Sequence, residues 1–227
     1  MPTIFNGLSI GDQGIEPEFT TEFEYGTDIE LFNRKVILDL SFYNKETTNL
    51  ITPVVVPASS GYSTFNTNVG AMTNKGIEVG LTLTPIRTEN FKWTLFSNFT
   101  KNRNKVTKLV DGLDRYALDV NEIAYATVGE PFGVFYGTKF ARDENGNYLI
   151  NRNGGGILAS KEPGIIGDPH PDYKVSVTNT LSYKGLSLKA QIDYRKGGDV
   201  SSSTIQSLLG RGVTKDTENR EINHVIP

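Results

Sequence analysis

Glu22, Glu24, Asp28 and Glu30 occupy even positions of a stretch in which polar and apolar residues alternate. On an extended strand, side chains two apart share one face and lie ~6.6–7 Å from each other. That spacing is compatible with an inverting glycosidase pair, which needs about 6.5–9.5 Å between carboxyl groups. It is equally the pattern of a hydrated acidic wall, and no other group focuses these carboxylates, so the wall is the preferred reading. Asp143-Glu144-Asn145-Gly146-Asn147 hints at a calcium loop. Its glycine stands fourth instead of sixth and no glutamate closes it, so it reads as a turn. Gly210-Arg211-Gly212-Val213-Thr214-Lys215 mixes glycines with cations but lacks phosphate-loop spacing and a leading strand. There are no cysteines and two histidines, His170 and His224. A disulfide scaffold, a thiolate centre and a histidine-rich metal site are therefore excluded. His170, between two prolines, reads as loop. No catalytic, cofactor or metal set is expected, and no enzyme.

The 227 residues are 37% hydrophobic and 10% aromatic, which argues against a disordered chain. A net charge of −3 gives no electrostatic reason to expect nucleic acid. The opening Met-Pro-Thr-Ile-Phe-Asn-Gly lacks the basic region and apolar run of a signal peptide. Apolar stretches such as Pro53 to Ala58 fall far short of the ~20 residues of a membrane helix. Membrane β-strands stay possible, because they alternate.

Six stretches carry a two-residue period. In the first, Phe19, Phe23, Tyr25, Ile29 and Leu31 alternate with Glu18, Thr20, Glu22, Glu24, Asp28 and Glu30. Val36, Leu38, Leu40 and Phe42 follow, with Ile37 and Tyr43 breaking the pattern. Ile77 to Leu83, then Phe91 to Phe99 with Phe96 out of phase, make the third and fourth. Tyr173, Val175, Val177, Leu181 and Tyr183 define the fifth, with Asn179 as an amide on its apolar side. Leu186, Leu188, Ala190, Ile192 and Tyr194 define the sixth. One apolar face and one polar face on every strand is the expectation.

Connection lengths alternate. Short turns are expected at Phe32-Asn33-Arg34, Pro85 to Asn90 and Lys184-Gly185, the last a two-residue hairpin with glycine where φ > 0 is wanted. Long connections are expected from about Thr47 to Asn74 and from about Asn102 to Asp172. Short turns at one end and long loops at the other is the pattern of outer-membrane barrels. Ten residues from Tyr173 to Tyr183, at ~3.3 Å each and ~45° tilt, cover about 23 Å, near the ~25 Å apolar band. Phe91 and Trp93 would lie in an aromatic girdle. An extracellular β-sandwich, serving adhesion or carbohydrate binding, is the alternative. The two differ in whether the apolar faces stay bare or pair across a dry core. Within the second long connection, Val134 to Ala141 and Tyr148 to Asn151 read as arms of a hairpin around Asp143 to Asn147, with Gly154-Gly155-Gly156 and Asp168-Pro169-His170-Pro171 as loop.

Eight short motifs carry a family resemblance. They are Glu16-Pro17-Glu18 running into Thr20 to Gly26, Asp39 to Lys45, Asn74-Lys75-Gly76-Ile77-Glu78, Asn90 to Trp93, Phe99 to Val106, Ile166 to Asp172, Tyr183 to Leu188, and Arg195 to Asp199. In this order, from about residue 10 to 227, the chain resembles SusC/RagA-type TonB-dependent outer-membrane transporters. The resemblance implies an all-β, antiparallel transmembrane barrel segment of about six long strands, not closed by itself, with 102–171 as a long extracellular loop. The family's full barrel has 22 strands around an N-terminal plug and imports glycans or peptides using energy from TonB, under a SusD-type lipoprotein lid. Signal peptide, TonB box, plug and an aromatic terminal strand end find no match here. An internal barrel fragment is expected, with residues 1–17 and 196–227 on the extracellular side.

The implied partners are outer-membrane lipid of a Gram-negative bacterium, a SusD-like surface lipoprotein, an oligosaccharide or peptide substrate, and TonB through the N-terminal part not matched here. No cofactor is implied. Lumen-facing positions would be Glu22, Glu24, Asp28, Glu30, Glu78, Lys189, Asp193 and Arg195. Tyr62, Phe65, Phe132, Phe135, Tyr136 and Tyr148 would lie in extracellular loops, available to stack on a ligand or pack against the lid.

Overall fold

The hairpin turns are fixed by backbone that few residues adopt. Phe32, Asn33 and Arg34 all hold positive φ (54°, 52° and 64°), and the Lys35 N–H donates to the Phe32 carbonyl at 3.2 Å. Lys184 and Gly185 sit at φ 44° and 88°, the left-handed pair that matches strand twist in a two-residue hairpin. Each turn sets the register of the strands it joins.

The computed structural model describes residues 9–119, 123–153 and 156–218. Its strands are β1 (Ser9–Gly11), β2 (Phe19–Leu31), β3 (Val36–Val55), β4 (Thr64–Arg87), β5 (Phe91–Leu109), β6 (Arg115–Ala117), β7 (Ala124–Thr127), β8 (Val134–Gly137), β9 (Gly164–Gly167), β10 (Pro171–Tyr183) and β11 (Leu186–Gly197). A short helix α1 (Ser203–Gly210) follows, its first turn capped by the Ser202 hydroxyl, which accepts from the Ile205 N–H. The six long strands form one antiparallel sheet in the order β11-β10-β5-β4-β3-β2, with β2 and β11 as unpaired edges and β1 added parallel to β4. The sheet is open, as six strands must be when single-chain membrane barrels begin at eight.

Cross-strand pairing keeps the two faces apart. Leu31↔Val36, Leu38↔Leu81, Val79↔Phe99, Phe99↔Val175 and Val177↔Ile192 fall on the apolar face. That face is bare: Phe23 is 68% exposed, Leu186 77% and Ile192 69%. Among the described residues no second sheet covers it, which argues against the sandwich alternative. Asn179, the amide on this face, accepts a hydrogen bond from the Trp93 indole N–H at 3.2 Å, so the polar group is satisfied sideways within the wall.

The long strands reach well beyond the alternating stretches. The connection expected over Thr47 to Asn74 is mostly strand: β3 runs to Val55, β4 begins at Thr64, and only 56–63 joins them. Phe65 therefore belongs to β4, paired with Val54, and is not a loop residue. Likewise β5 continues to Leu109. Above the apolar band neither face has to be greasy, so the backbone ladder persists while the periodicity that announces it fades. Irregularities mark the change, with Asn49 at φ 53° and register shifts between Thr47 and Ile51 and at Ala71/Met72. At Gly70 a Cβ would fall 2.0 Å from the Lys108 carbonyl oxygen, so only glycine fits there.

The expected hairpin is present at its tip, where the Leu149 N–H donates to the Ala141 carbonyl at 2.9 Å, and is corrected further down its first arm. Asp143 to Asn147 is a turn, closed by the Asp143 N–H to the Asn147 carbonyl and by the bridge Arg142↔Tyr148. Val134–Gly137, however, pairs with β7 and β9 in a separate four-stranded sheet, β6-β7-β8-β9, and not with Tyr148 to Asn151. Asn151 faces the third segment of the loop, donating its N–H to the Gly156 carbonyl. Residues 1–8, 120–122 and 219–227, with His224, and Gly154-Gly155 lie outside the described residues.

The buried core lies where this small sheet meets the tall ends of β3, β4 and β5. Leu50, Val69, Val106 and Leu109 from the wall enclose Tyr116 and Ala126 from the loop sheet, with Val69 and Val106 1% and Ala126 0% exposed. Phe132, Leu118, Val54 and Met72 pack around them.

Candidate functional site

The polar face of the large sheet carries the charged candidates. Lys45 stands opposite Glu22, Asn74 opposite Lys45, and Asn104 opposite Asn74. Further along, Thr100 lies opposite Glu78, Lys174 opposite Thr100, and Arg195 opposite Lys174. With the two-residue period, Glu22, Glu24, Asp28, Glu30, Glu78, Lys189, Asp193 and Arg195 all share this face. They are not gathered at one point. Glu22, Glu24, Asp28 and Glu30 line the β2 edge, Glu78 stands in β4, and Lys189, Asp193 and Arg195 line the β11 edge, five strand spacings or about 24 Å from β2.

Several of these groups already have partners. The Ser41 hydroxyl donates to Glu24, and Glu30 pairs with Arg34 at 3.1 Å across the turn. Gln191 donates to Asp193, and the Arg195 guanidinium donates to the Pro169 carbonyl at 2.7 Å. A cavity of about 580 Å³ opens on this face, with Glu22, Glu24, Tyr43, Lys45, Asn74 and Glu78 among its lining. Tyr43 lies flat over Gly76, where a Cβ would come within 2.2 Å of its ring, and its hydroxyl donates to Asn102 at 3.2 Å. Asn102 and Asn104 both donate to the Asn74 carbonyl oxygen, at 3.2 and 3.1 Å.

This amide ladder leads to the loop sheet. Asn104 accepts from the Phe132 N–H at 2.6 Å, and the Phe132 carbonyl lies 2.7 Å from His170 Nε2. One loop residue is thus held through both its N–H and its carbonyl. Asp168 and Asp199 clasp each other: the Asp168 N–H donates to the Asp199 carboxylate at 2.8 Å, and the Asp199 N–H to the Asp168 carbonyl at 2.7 Å. His170 lies in the loop just before β10, as expected, and there its ring ties β10 to the loop sheet. Tyr116 bonds Thr52 at 2.7 Å, and burial raises its phenol pKa above the usual value against the opposing pull of that bond. Asp143 is held below the ordinary carboxylate range, first by the Asn147 side chain and then by the Asn147 backbone N–H.

The six aromatic candidates divide. Tyr62 precedes β4 in the 56–63 connection, half-buried. Phe65 is strand and Phe132 is core packing. Phe135 is half-buried in β8 opposite Gly167. Tyr136 and Tyr148 each lie under an arginine, Arg115 at 4.5 Å and Arg142 at 3.9 Å from the ring centres. Both arginines escaped the sequence reading. Arg142 was readable as the residue facing Tyr148 across the Asp143 turn; Arg115 was not, because β6 and β8 are joined only through β7.

Among the described residues no cluster of three or more metal-binding side chains occurs, and no helix is long and apolar enough to cross a membrane.

Comparison with known proteins bears on the whole sheet. The family model described as TonB dependent receptor-like, beta-barrel matches residues 1–206. TonB-dependent receptor P26 of Formosa agariphila is 31% identical over 219 residues, covering 86% of this chain and 22% of the relative. TonB-dependent receptor SusC of Bacteroides thetaiotaomicron is 28% identical over 201 residues, covering 80% and 20%. The solved structure of the RagAB peptide transporter superposes with a TM-score of 0.65 at 26% identity, over 79% of this chain and 21% of that one. The chain thus spans between a fifth and a quarter of the length of these relatives.

Proposed function

The chain belongs to the TonB-dependent receptor β-barrel family, and on that premise we propose that it is a wall segment of an outer-membrane active transporter that imports glycans or peptides with energy delivered through TonB. The carrying observation is the two-faced open sheet. Its apolar face, with Phe23 and Ile192 bare, suits lipid, while Glu22 to Glu30, Glu78, Lys189, Asp193 and Arg195 on the other face suit a wet lumen. The reason is energetic: a charge on the lipid face at mid-membrane costs about 2–4 kcal/mol, whereas the lumen tolerates it. The family resides in the Gram-negative outer membrane, and its members transport rather than transform their cargo.

In this reading, segment 102–171 and the 56–63 connection lie on the extracellular side, and the loop sheet stands over the lumen wall. A SusD-like lipoprotein is the partner that would close over that side. SusC and the RagAB peptide transporter are the relatives that make glycan or peptide the cargo classes to test.

The test is uptake. Cells expressing the full-length receptor that carries this segment should accumulate a fluorescent oligosaccharide or peptide, and lose that uptake when TonB is deleted. Accumulation indifferent to the receptor or to TonB would refute the reading. Facing is tested separately, since the segment has no cysteine of its own. A water-soluble maleimide should label introduced cysteines at 174, 176, 178, 180 and 182 and spare 175, 177 and 181.

A further inference from the structure

The loop sheet has one face against the wall and one turned away from it. Tyr116 and Ala126 are paired in register and buried in the shared core. Their neighbours Arg115 and Thr127, also paired, lie on the reverse face, as do Ala117 and Tyr125. On that face the Arg115 guanidinium stacks 4.5 Å above the Tyr136 ring. Tyr136 packs at 5.3 Å against Tyr125, and its hydroxyl donates to the Pro163 carbonyl at 3.0 Å, so the ring is a fixed seat.

Arg115 makes no hydrogen bond or ion pair among the described residues; the ion pairs there are Arg34–Glu30 and Arg103–Asp172. Arg142 offers the contrast. It also stacks on a tyrosine but donates to the Gly146 carbonyl and serves to close its turn. Directly across the ladder from Arg115, the Thr127 hydroxyl is buried without a partner. Among the described residues the exposed guanidinium thus has no protein hydrogen-bond partner, and the Thr127 hydroxyl, closed to solvent, offers it none. Stacking leaves the N–H edge of a guanidinium open, already oriented, and its planar fork matches a carboxylate.

We propose that Arg115, seated on Tyr136, recognises a carboxylate on the imported oligomer, so that the transporter takes acidic sugar chains or acidic peptides in preference to their neutral forms. This rests on the transport reading above and adds the charge class of the cargo.

The experiment titrates the purified full-length receptor calorimetrically with two pairs of probes: oligogalacturonate and its methyl ester, and a glutamate-bearing peptide and its glutamine counterpart. The acidic member of one pair should bind more tightly than its neutral partner, and the responding pair names the source of the carboxylate. Arg115→Gln should weaken that acidic probe about tenfold or more and leave the neutral one unchanged. Tyr136→Leu, which unseats the guanidinium without removing it, should narrow the preference several-fold, and keeps the idea testable if Arg115→Gln misfolds. The proposal is overturned if the wild type shows no acidic preference, or if the preference survives Arg115→Gln. In either case, continued TonB-dependent uptake of neutral oligomers would leave the transport reading standing; absence of all such uptake would remove that reading itself.

Discussion

Val177 and Thr178 are adjacent in β10 and point to opposite faces, Val177 opposite Ile192 and Ser97, Thr178 opposite Gln191 and Phe96. Val177 sits midway along Pro171–Tyr183, six residues from either end, or about 14 Å along the membrane normal at ~3.3 Å per residue and ~45° tilt. It therefore lies close to the bilayer midplane. Val177→Arg in the full-length receptor should lose about 2–4 kcal/mol, the cost of a guanidinium on the lipid face at that depth. Thr178→Arg adds the same charge one residue away but into water, and should stay within about 0.5 kcal/mol of wild type. Urea unfolding in lipid vesicles reads both. A lower midpoint at unchanged slope for Val177→Arg alone is the expected result. Equal losses, or a larger loss for Thr178→Arg, would refute the assignment of faces, and with it the reasoning from alternation to membrane.

Trp93→Phe should cost about 1–3 kcal/mol by stranding the Asn179 amide on the apolar face, and Asn179→Leu in the same chain should restore most of it; unfolding midpoints check both. Gly70→Ala has no room, since the clash is with backbone, so hydrogen exchange should rise in the upper halves of β4 and β5 while the lower halves stay protected. The Asp143 turn should be intact above the ordinary carboxylate pKa near 4 and loosen only as pH falls through its lower folded-state value, because a depressed pKa stabilises the folded form above that range. Amide chemical shifts of Asn145 and Asn147 report it; loosening already at pH 5 would contradict the depression.

Much of this protein was legible without coordinates. Alternation from Phe19 to Leu31, and again through Tyr173 to Tyr194, fixes strand identity and the sorting of faces, because a strand has only two sides and lipid accepts one kind of residue. Lys184-Gly185 names its own turn, since few dipeptides take left-handed backbone at both positions. The charged wall residues follow from the same parity, and the registers place them together on one face. What alternation could not reveal lies where lipid no longer selects side chains. The upper parts of β3, β4 and β5 are held by backbone pairing with either face free to be polar, so Phe65 reads as loop and is strand. The loop sheet is held by contacts distant in sequence: Tyr116 with Thr52, Asn104 with Phe132, and Phe132 with His170. No local pattern encodes such contacts, because each residue type there is ordinary and only its partner makes it matter. Arg115 shows this most plainly: the sequence supplies a cation in a polar stretch, and only the fold of β6, β7 and β8 sets it on the Tyr136 ring.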